Sequence, residues 1–122
     1  MPQLPMQWNT TAAANGQWRQ TFTLTADGSP IDLTGLTWEF VIRPNVTDAT
    51  SPALVSVTTT PSAQGQIDVT PLTGTVTVTL TPAATLLLGK GARPHTLWSN
   101  PGTSTQIPWV EGVFNTALVA NP

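Results

Sequence analysis

Two runs of the chain alternate apolar and polar residues with a period of two. In residues 36–43 every second side chain is a large apolar one, and in residues 75–80 Val and Leu alternate with Thr. This period is typical of β-strands with one buried face, and β-branched Thr suits the solvated face of a pleated sheet. Both runs are therefore predicted to be strands.

Weaker alternation predicts further short strands, and Pro or Gly separates nearly all of them. These runs are residues 17–25, 53–59, 66–70, 95–99, 105–110 and 113–119. Short strands separated by turn residues at this spacing are typical of antiparallel two-layer domains. We predict an all-β chain whose residues 17–122 form a single immunoglobulin-like antiparallel β-sandwich.

One short helix is predicted in residues 81–89. Thr81 is a good N-cap, Pro82 suits the first helical position, and Gly89 suits the left-handed position after the last turn. A helix this short is unstable alone in water, so its leucines are predicted to pack onto the sheets.

Residues 1–16 are predicted to form an extended N-terminal arm. They are rich in Pro, Thr, Ala and Asn, and Leu4, Met6 and Trp8 are their large apolar residues after Met1. A Trp exposed on a free tail would be unfavourable, which favours docking of the arm onto a partner. Leu4, Met6 and Trp8 are therefore candidate partner-binding residues.

Composition and charge narrow the classes of function. The 122 residues include four Lys and Arg, six Asp and Glu and no Cys, giving a net charge of −2. No basic cluster is present to neutralise phosphates, and no apolar run is long enough to span a membrane. We expect no nucleic-acid or membrane partner and no disulfide framework.

The chain offers few candidates for catalysis. His95 is the single histidine, follows Arg93-Pro94 and is predicted to lie at a surface or in a turn. No metal-ligand, nucleophile-elbow or phosphate-loop motif is present. Glu39 and Glu111 stay open as a glycosidase-type pair. We expect no catalytic residues, metal or cofactor, and therefore no enzyme.

Five tryptophans are the most distinctive chemical feature, beside three Phe and no Tyr. Trp18 and Trp38 are in phase with other apolar residues and are predicted to lie in the core. Trp98 and Trp109 flank a polar loop that begins at Asn100, so these three residues are candidates for stacking on a sugar or contacting a partner protein. The partner interpretation is favoured over the sugar.

The segment 22–43 combines a strand, a turn, the sequence Asp32-Leu33-Thr34-Gly35 and an alternating strand. Asp27 and Gly28 are predicted to form a hairpin turn, Asp32 to cap a tight bend and Gly35 to adopt positive φ. This order resembles the opening of small β-sandwich domains in tailed-phage tail proteins, including the N-terminal domain of baseplate upper proteins and the β-sandwich of siphophage long tail fibres.

The resemblance covers about residues 17–119 and implies a structural role without catalytic residues. It implies a virion protein that contacts other virion proteins in a symmetric or multi-copy tail or baseplate assembly. A capsid decoration subunit of the same kind of particle is a second interpretation. A carbohydrate-binding β-sandwich for adhesion or receptor binding is a third.

Overall fold

A computed structural model of the chain describes residues 6–45, 53–120 and 122. The elements are, in chain order, β1 (Met6–Gln7), β2 (Thr10–Ala13), β3 (Trp18–Thr23), β4 (Thr25–Ala26), β5 (Ser29–Pro30), β6 (Trp38–Ile42), β7 (Val55–Thr58), β8 (Gly65–Thr70), a 3₁₀ turn (Pro71–Thr73), β9 (Thr75–Leu80), α1 (Pro82–Leu88), β10 (Gly91–Ser99) and β11 (Ile107–Ala117). The prediction of an all-β chain is confirmed.

The strands form two main sheets around one core. The larger sheet has the order β11-β10-β6-β7, and both β1 and β2 pair with the free side of β11; the smaller sheet has the order β3-β9-β8. The rings of Trp18 on β3 and Phe40 on β6 stack with centroids 5.7 Å apart. Side chains of the two sheets therefore meet directly. The finer immunoglobulin-like description stays a prediction.

The alternating runs form the strands that their periods predict. β9 occupies residues 75–80 as predicted, with Val76, Val78 and Leu80 buried and its Thr residues partly exposed. β6 places Trp38, Phe40 and Ile42 in the core, which confirms the predicted burial of Trp38. Trp18 is also buried, as predicted.

The end of the chain differs from the prediction of two strands at residues 105–110 and 113–119. One continuous strand, β11, crosses both segments and the Glu111-Gly112 step between them. Gly112 pairs with His95 on β10, so the glycine continues the ladder and is not a break. The fold has one long central strand where the sequence suggests two short ones.

The predicted helix is confirmed as α1, but its leucines do not all pack on the sheets. The Thr81 side chain accepts a hydrogen bond from the Ala84 amide, as an N-cap does. Leu88 is buried, whereas Leu86 and Leu87 are 56% and 61% exposed. Seven residues make two turns, and the side of the helix that carries these two leucines faces outward.

Candidate functional site

The described part of the predicted arm is docked on its own domain. β1 and β2 run parallel to β11 in one common register, Met6 opposite Val110 and Thr10 opposite Phe114. We call residues 6–13 the strap. The Trp8 amide donates to the Glu111 carbonyl oxygen at 2.8 Å. The predicted N-terminal arm, where it is described over residues 6–16, therefore lies against its own chain and not on a partner, and Leu4 lies outside the described residues.

The physical reason for docking is the free side of β11. An exposed strand edge presents unpaired amides and carbonyls that bind another extended segment. Met6 is 47% exposed and contributes little burial, whereas Trp8 is half-buried and packs against the core. The sequence identifies Trp8 as an anchor, but in this structure it anchors the strap to its own chain.

The strap is interrupted where Trp8 and Asn9 pass Gly112. A Cβ on Gly112 would lie 2.1 Å from the Trp8 carbonyl oxygen and 2.7 Å from Asn9 Oδ1. Such distances are not compatible with any side chain at this position. Asn9 Oδ1 in turn accepts a hydrogen bond of 2.9 Å from the Val113 amide. Because Gly112 has no side chain, the strap can approach β11 closely at this position.

His95, which pairs with Gly112 from the neighbouring strand β10, binds the strap. Its Nε2 is 2.8 Å from the Trp8 carbonyl oxygen, which can only accept, so Nε2 carries the proton. The residue is 1% exposed, and Nδ1 has no hydrogen-bond partner among the described residues. The prediction of a surface or turn histidine is wrong, because β10 begins at Gly91 and turns His95 toward the core.

The surroundings of His95 favour its neutral form. The rings of Trp8, Phe40 and Phe114 lie with centroids 5.4 to 6.3 Å from the imidazole. Burial lowers the pKa of His95 below its ordinary value, while the hydrogen bond to Trp8 and the charge of Glu111 partly oppose that shift. We call the edge of β11 from Val110 to Ala117, together with His95, the seat of the strap.

The strap joins the rest of the chain through a tight turn at residues 14–17, the hinge. Asn15 has φ 63°, in the left-handed region. The Ala14 amide donates to the Ala117 carbonyl oxygen at 2.9 Å, and Thr85 Oγ1 of α1 donates to the Gly16 carbonyl oxygen at 2.8 Å. The hinge therefore lies between the end of β11 and α1.

Four exposed apolar side chains occur on the two segments that contact the hinge. Leu86 and Leu87 lie on α1, and Leu118 and Val119 directly follow β11. Leu118 and Val119 are 65% and 55% exposed. We call these four residues the apolar rim. Exposed large apolar side chains on such segments favour an interaction surface.

The predicted loop site does not form a single surface. Trp109 Nε1 donates to Ser99 Oγ at 2.8 Å, and the Trp109 ring packs against the core. Asn100 Oδ1 accepts from the Thr37 amide, and Asn100 Nδ2 donates to Thr105 Oγ1. Both residues therefore stabilise the loop. Trp98 lines clefts on the outward side of the larger sheet instead.

Trp98 lies among polar and charged side chains on that outward face. Glu39 is opposite Trp98 in the register of β6 with β10. Arg43 and Gln106 line a cleft of about 240 Å³ beside the indole ring. A second cleft of about 260 Å³ continues past the ring toward Glu111. The face combines one aromatic ring with hydrogen-bonding groups of both charges.

The four predicted turn residues adopt the predicted conformations. Asp27 and Gly28 have φ 52° and 80° and join β4 to β5 in a two-residue hairpin. Asp32 Oδ1 accepts hydrogen bonds from the Thr34 amide at 3.0 Å and the Thr34 hydroxyl at 2.6 Å, and these bonds lower the pKa of Asp32. Gly35 has φ 82°.

The carboxylates of Glu39 and Glu111 lie on the two strands that flank β10. Glu39 accepts a hydrogen bond from Ser56 Oγ at 2.6 Å, and Glu111 accepts one from the Gln7 side chain. Their use as a catalytic pair stays a hypothesis. In residues 6–45 and 53–120, no three His, Asp or Glu side chains are grouped to hold a metal, and no helix could span a membrane.

Comparison with known proteins gives no family assignment. A scan against protein-family models and a search of the curated proteins found no match for this chain. Gly112 and the buried His95 were missed by sequence reasoning. The available signal was the isolated Gly112 within an otherwise strand-like run, which is typical of a close backbone approach.

Proposed function

We propose that this chain is a non-enzymatic structural protein of a tailed bacteriophage virion, with a place in the tail or baseplate region. The observation that carries the proposal is the apolar rim, four exposed apolar side chains on the two segments that contact the hinge. Exposed apolar side chains of this kind favour contact with another protein over a monomer in solution. The phage context rests on the resemblance of residues 22–43, whose turn residues adopt the required conformations.

Its low charge supports assembly through apolar and backbone contacts. Charged residues make up 8% of the chain, so few ion pairs are available to hold neighbouring subunits. Association is therefore expected to resist salt, because ionic screening acts on exposed charges. Dissociation of assembled material by moderate salt would contradict this description of the interface.

The proposal is tested on purified virions of the phage that encodes the chain. We expect mass spectrometry to find the chain in stoichiometric amounts, and immunogold labelling to place it on the tail or baseplate. Labelling of the head surface would favour the capsid decoration alternative, for which a small β-domain serves equally well. Absence of the chain from virions would overturn both.

A carbohydrate-binding role is the second candidate, and the position of Trp98 favours it. The apolar C–H face of a sugar ring can stack on an indole, while hydroxyl groups bond to side chains such as Glu39, Arg43 and Gln106. These residues replace the loop group predicted from sequence. Binding on a glycan array that is lost in Trp98→Ala and retained in Trp109→Phe would support this role. If the native chain binds none of the glycans on the array, the role is excluded for those glycans.

A further inference from the structure

The seat recognises the strap through features that a generic edge strand lacks. Gly112 leaves room for the Trp8 backbone, His95 binds the Trp8 carbonyl oxygen, and the Val113 amide binds Asn9 Oδ1. The Trp8 ring packs edge-on against Phe22 with centroids 5.1 Å apart. These contacts specify the occupant of the seat, which is a segment with the sequence of residues 6–13.

The turn of the hinge directs the strap of each chain onto the seat of the same chain. It is four residues long, and Asn15 within it adopts φ 63°. Left-handed backbone is unfavourable for residues with a side chain, although Asn tolerates it better than most. Short hinges held in such conformations favour exchange of the terminal segment between copies, because an extended hinge relieves the turn.

The apolar rim lies on the two segments that contact the hinge, with Leu86 and Leu87 on α1 and Leu118 and Val119 after β11. An opened hinge would join two domains at this point, so we expect these segments of two exchanged copies to face each other. A two-fold arrangement would cover the rim of each copy with the rim of the other. The exposed leucines and the tight hinge are separate observations that agree.

We propose that copies of this chain exchange their straps, so that residues 6–13 of one copy lie in the seat of a second copy and the two apolar rims form a new contact. This inference rests on the proposed function, since it describes how the subunit joins others of its kind. In such a pair every copy gives one strap and receives one, and every strap contact seen within the chain is kept.

Covalent trapping tests the exchange directly. Thr11 and Asn115 are opposite each other in the parallel register, both are exposed, and the native chain has no Cys. In Thr11→Cys/Asn115→Cys, a disulfide links two chains if the strap is exchanged, and closes a loop within one chain otherwise. The Cα spacing of paired strands suits a disulfide. We oxidise the protein after purification and again after refolding at high concentration.

Exchange predicts covalent dimers on a non-reducing gel, with a share that rises with protein concentration during refolding. Each single variant, Thr11→Cys or Asn115→Cys, is the matched control and sets the background of random cross-links. Covalent dimers above that background support the proposal. Intrachain disulfides alone at all concentrations overturn it.

Complementation between two full-length variants gives a second readout. Gly112→Val blocks the seat and keeps the strap, whereas Trp8→Ala/Asn9→Ala weakens the strap and keeps the seat. Circular dichroism first establishes that both fold. Native mass spectrometry should find each variant monomeric alone and a mixed dimer when they are refolded together. Loss of all mixed dimers, with both folded, contradicts exchange.

Failure of the exchange and failure of the proposed function give different results. If the disulfides form only within chains but the chain is present in purified virions, the exchange is wrong and the structural role stands. If covalent dimers form but virions lack the chain, the exchange stands and the phage role is wrong.

Discussion

His95 Nε2 donates a hydrogen bond of 2.8 Å to the carbonyl oxygen of Trp8, beside Gly112, whose lack of a side chain leaves room for the strap. The single histidine of the chain thereby binds the strap from the inner side of the sheet. Its other ring nitrogen is buried and has no hydrogen-bond partner among the described residues. A protonated imidazole would need a second acceptor at that place, and the surrounding rings do not supply one.

The fold around His95 is therefore expected to weaken in acid. Burial in the folded chain lowers the pKa of His95 below its ordinary value of 6.5, so the unfolded chain binds a proton that the folded chain does not. As pH falls below 6.5 the equilibrium constant for folding should drop by up to about tenfold per unit, about 1.4 kcal/mol, until the pKa of the folded state is reached. Exchange rates of the Trp8 and Val113 amides, corrected for intrinsic rates, measure this.

The groups facing His95 define the control for that experiment. Glu111 on β11 is the carboxylate whose charge acts on it, and Phe40, Phe114 and Trp8 supply uncharged rings. His95→Gln keeps a donor for the Trp8 carbonyl and does not titrate. Its strap should show no loss of protection between pH 7.5 and 5; the same loss as in the native chain would show that another group is responsible.

Gly112→Ala should destabilise the domain. Replacing Gly in a strand normally reduces the entropy of the unfolded chain and stabilises the fold, but here the added Cβ would lie 2.1 Å from the Trp8 carbonyl oxygen. Displacing the strap should lower the free energy of unfolding by about 1 to 3 kcal/mol. Urea denaturation measures it, and Asn115→Ala, at an exposed position on the same strand, should change little.

Asp32 should stabilise the fold at neutral pH and lose that effect in acid. The Thr34 hydroxyl and amide lower the pKa of Asp32 below 3.8, so its contribution is full above that value and disappears as pH falls through the lowered pKa. Asp32→Ala should therefore lower Tm at pH 7 and make little difference near pH 2. An equal decrease at both values would contradict this account, and Thr34→Val tests the hydroxyl separately.

Substitutions at the leucines of α1 should affect the free energy of unfolding and self-association differently. Leu86→Asn/Leu87→Asn changes exposed side chains, so its free energy of unfolding should stay within about 0.5 kcal/mol of the native value. Leu88→Ala removes a buried side chain and should lower it by about 2 to 5 kcal/mol. Sedimentation at several concentrations should show weaker self-association for the double variant, and unchanged association would remove the apolar rim from the interface.

The sequence predicts the parts of this fold that local chemistry decides. The alternation of Val and Thr gives the bounds of β9, and the caps Thr81 and Gly89 give those of α1, because period and capping act within a few residues. The turn at Asp27 and Gly28 follows from the same kind of local rule.

The strap and its seat depend on contacts between distant parts of the chain. Residues 10–13 pair in parallel with residues 114–117. Their sequence, Thr-Thr-Ala-Ala, does not alternate apolar and polar residues and so does not predict a strand. Gly112 and His95 owe their roles to each other and to Trp8, which lies more than eighty residues away from His95 along the chain. His95 shares the inward face of β10 with Leu97, but its bond to Trp8 could not be deduced from its neighbours Pro94 and Thr96.

The outward side of the smaller sheet has an entirely polar surface. The register of β3, β9 and β8 places three rows there, which are Arg19-Thr79-Gln66, Thr21-Thr77-Asp68 and Thr23-Thr75-Thr70. Hydroxyls of Thr21 and Thr77 bond to each other at 2.8 Å across the strands. A polar face of this kind offers little apolar area to bury against another protein. In an assembly built from this subunit, we therefore expect these threonines to face bulk solvent and the apolar rim to face a neighbouring subunit.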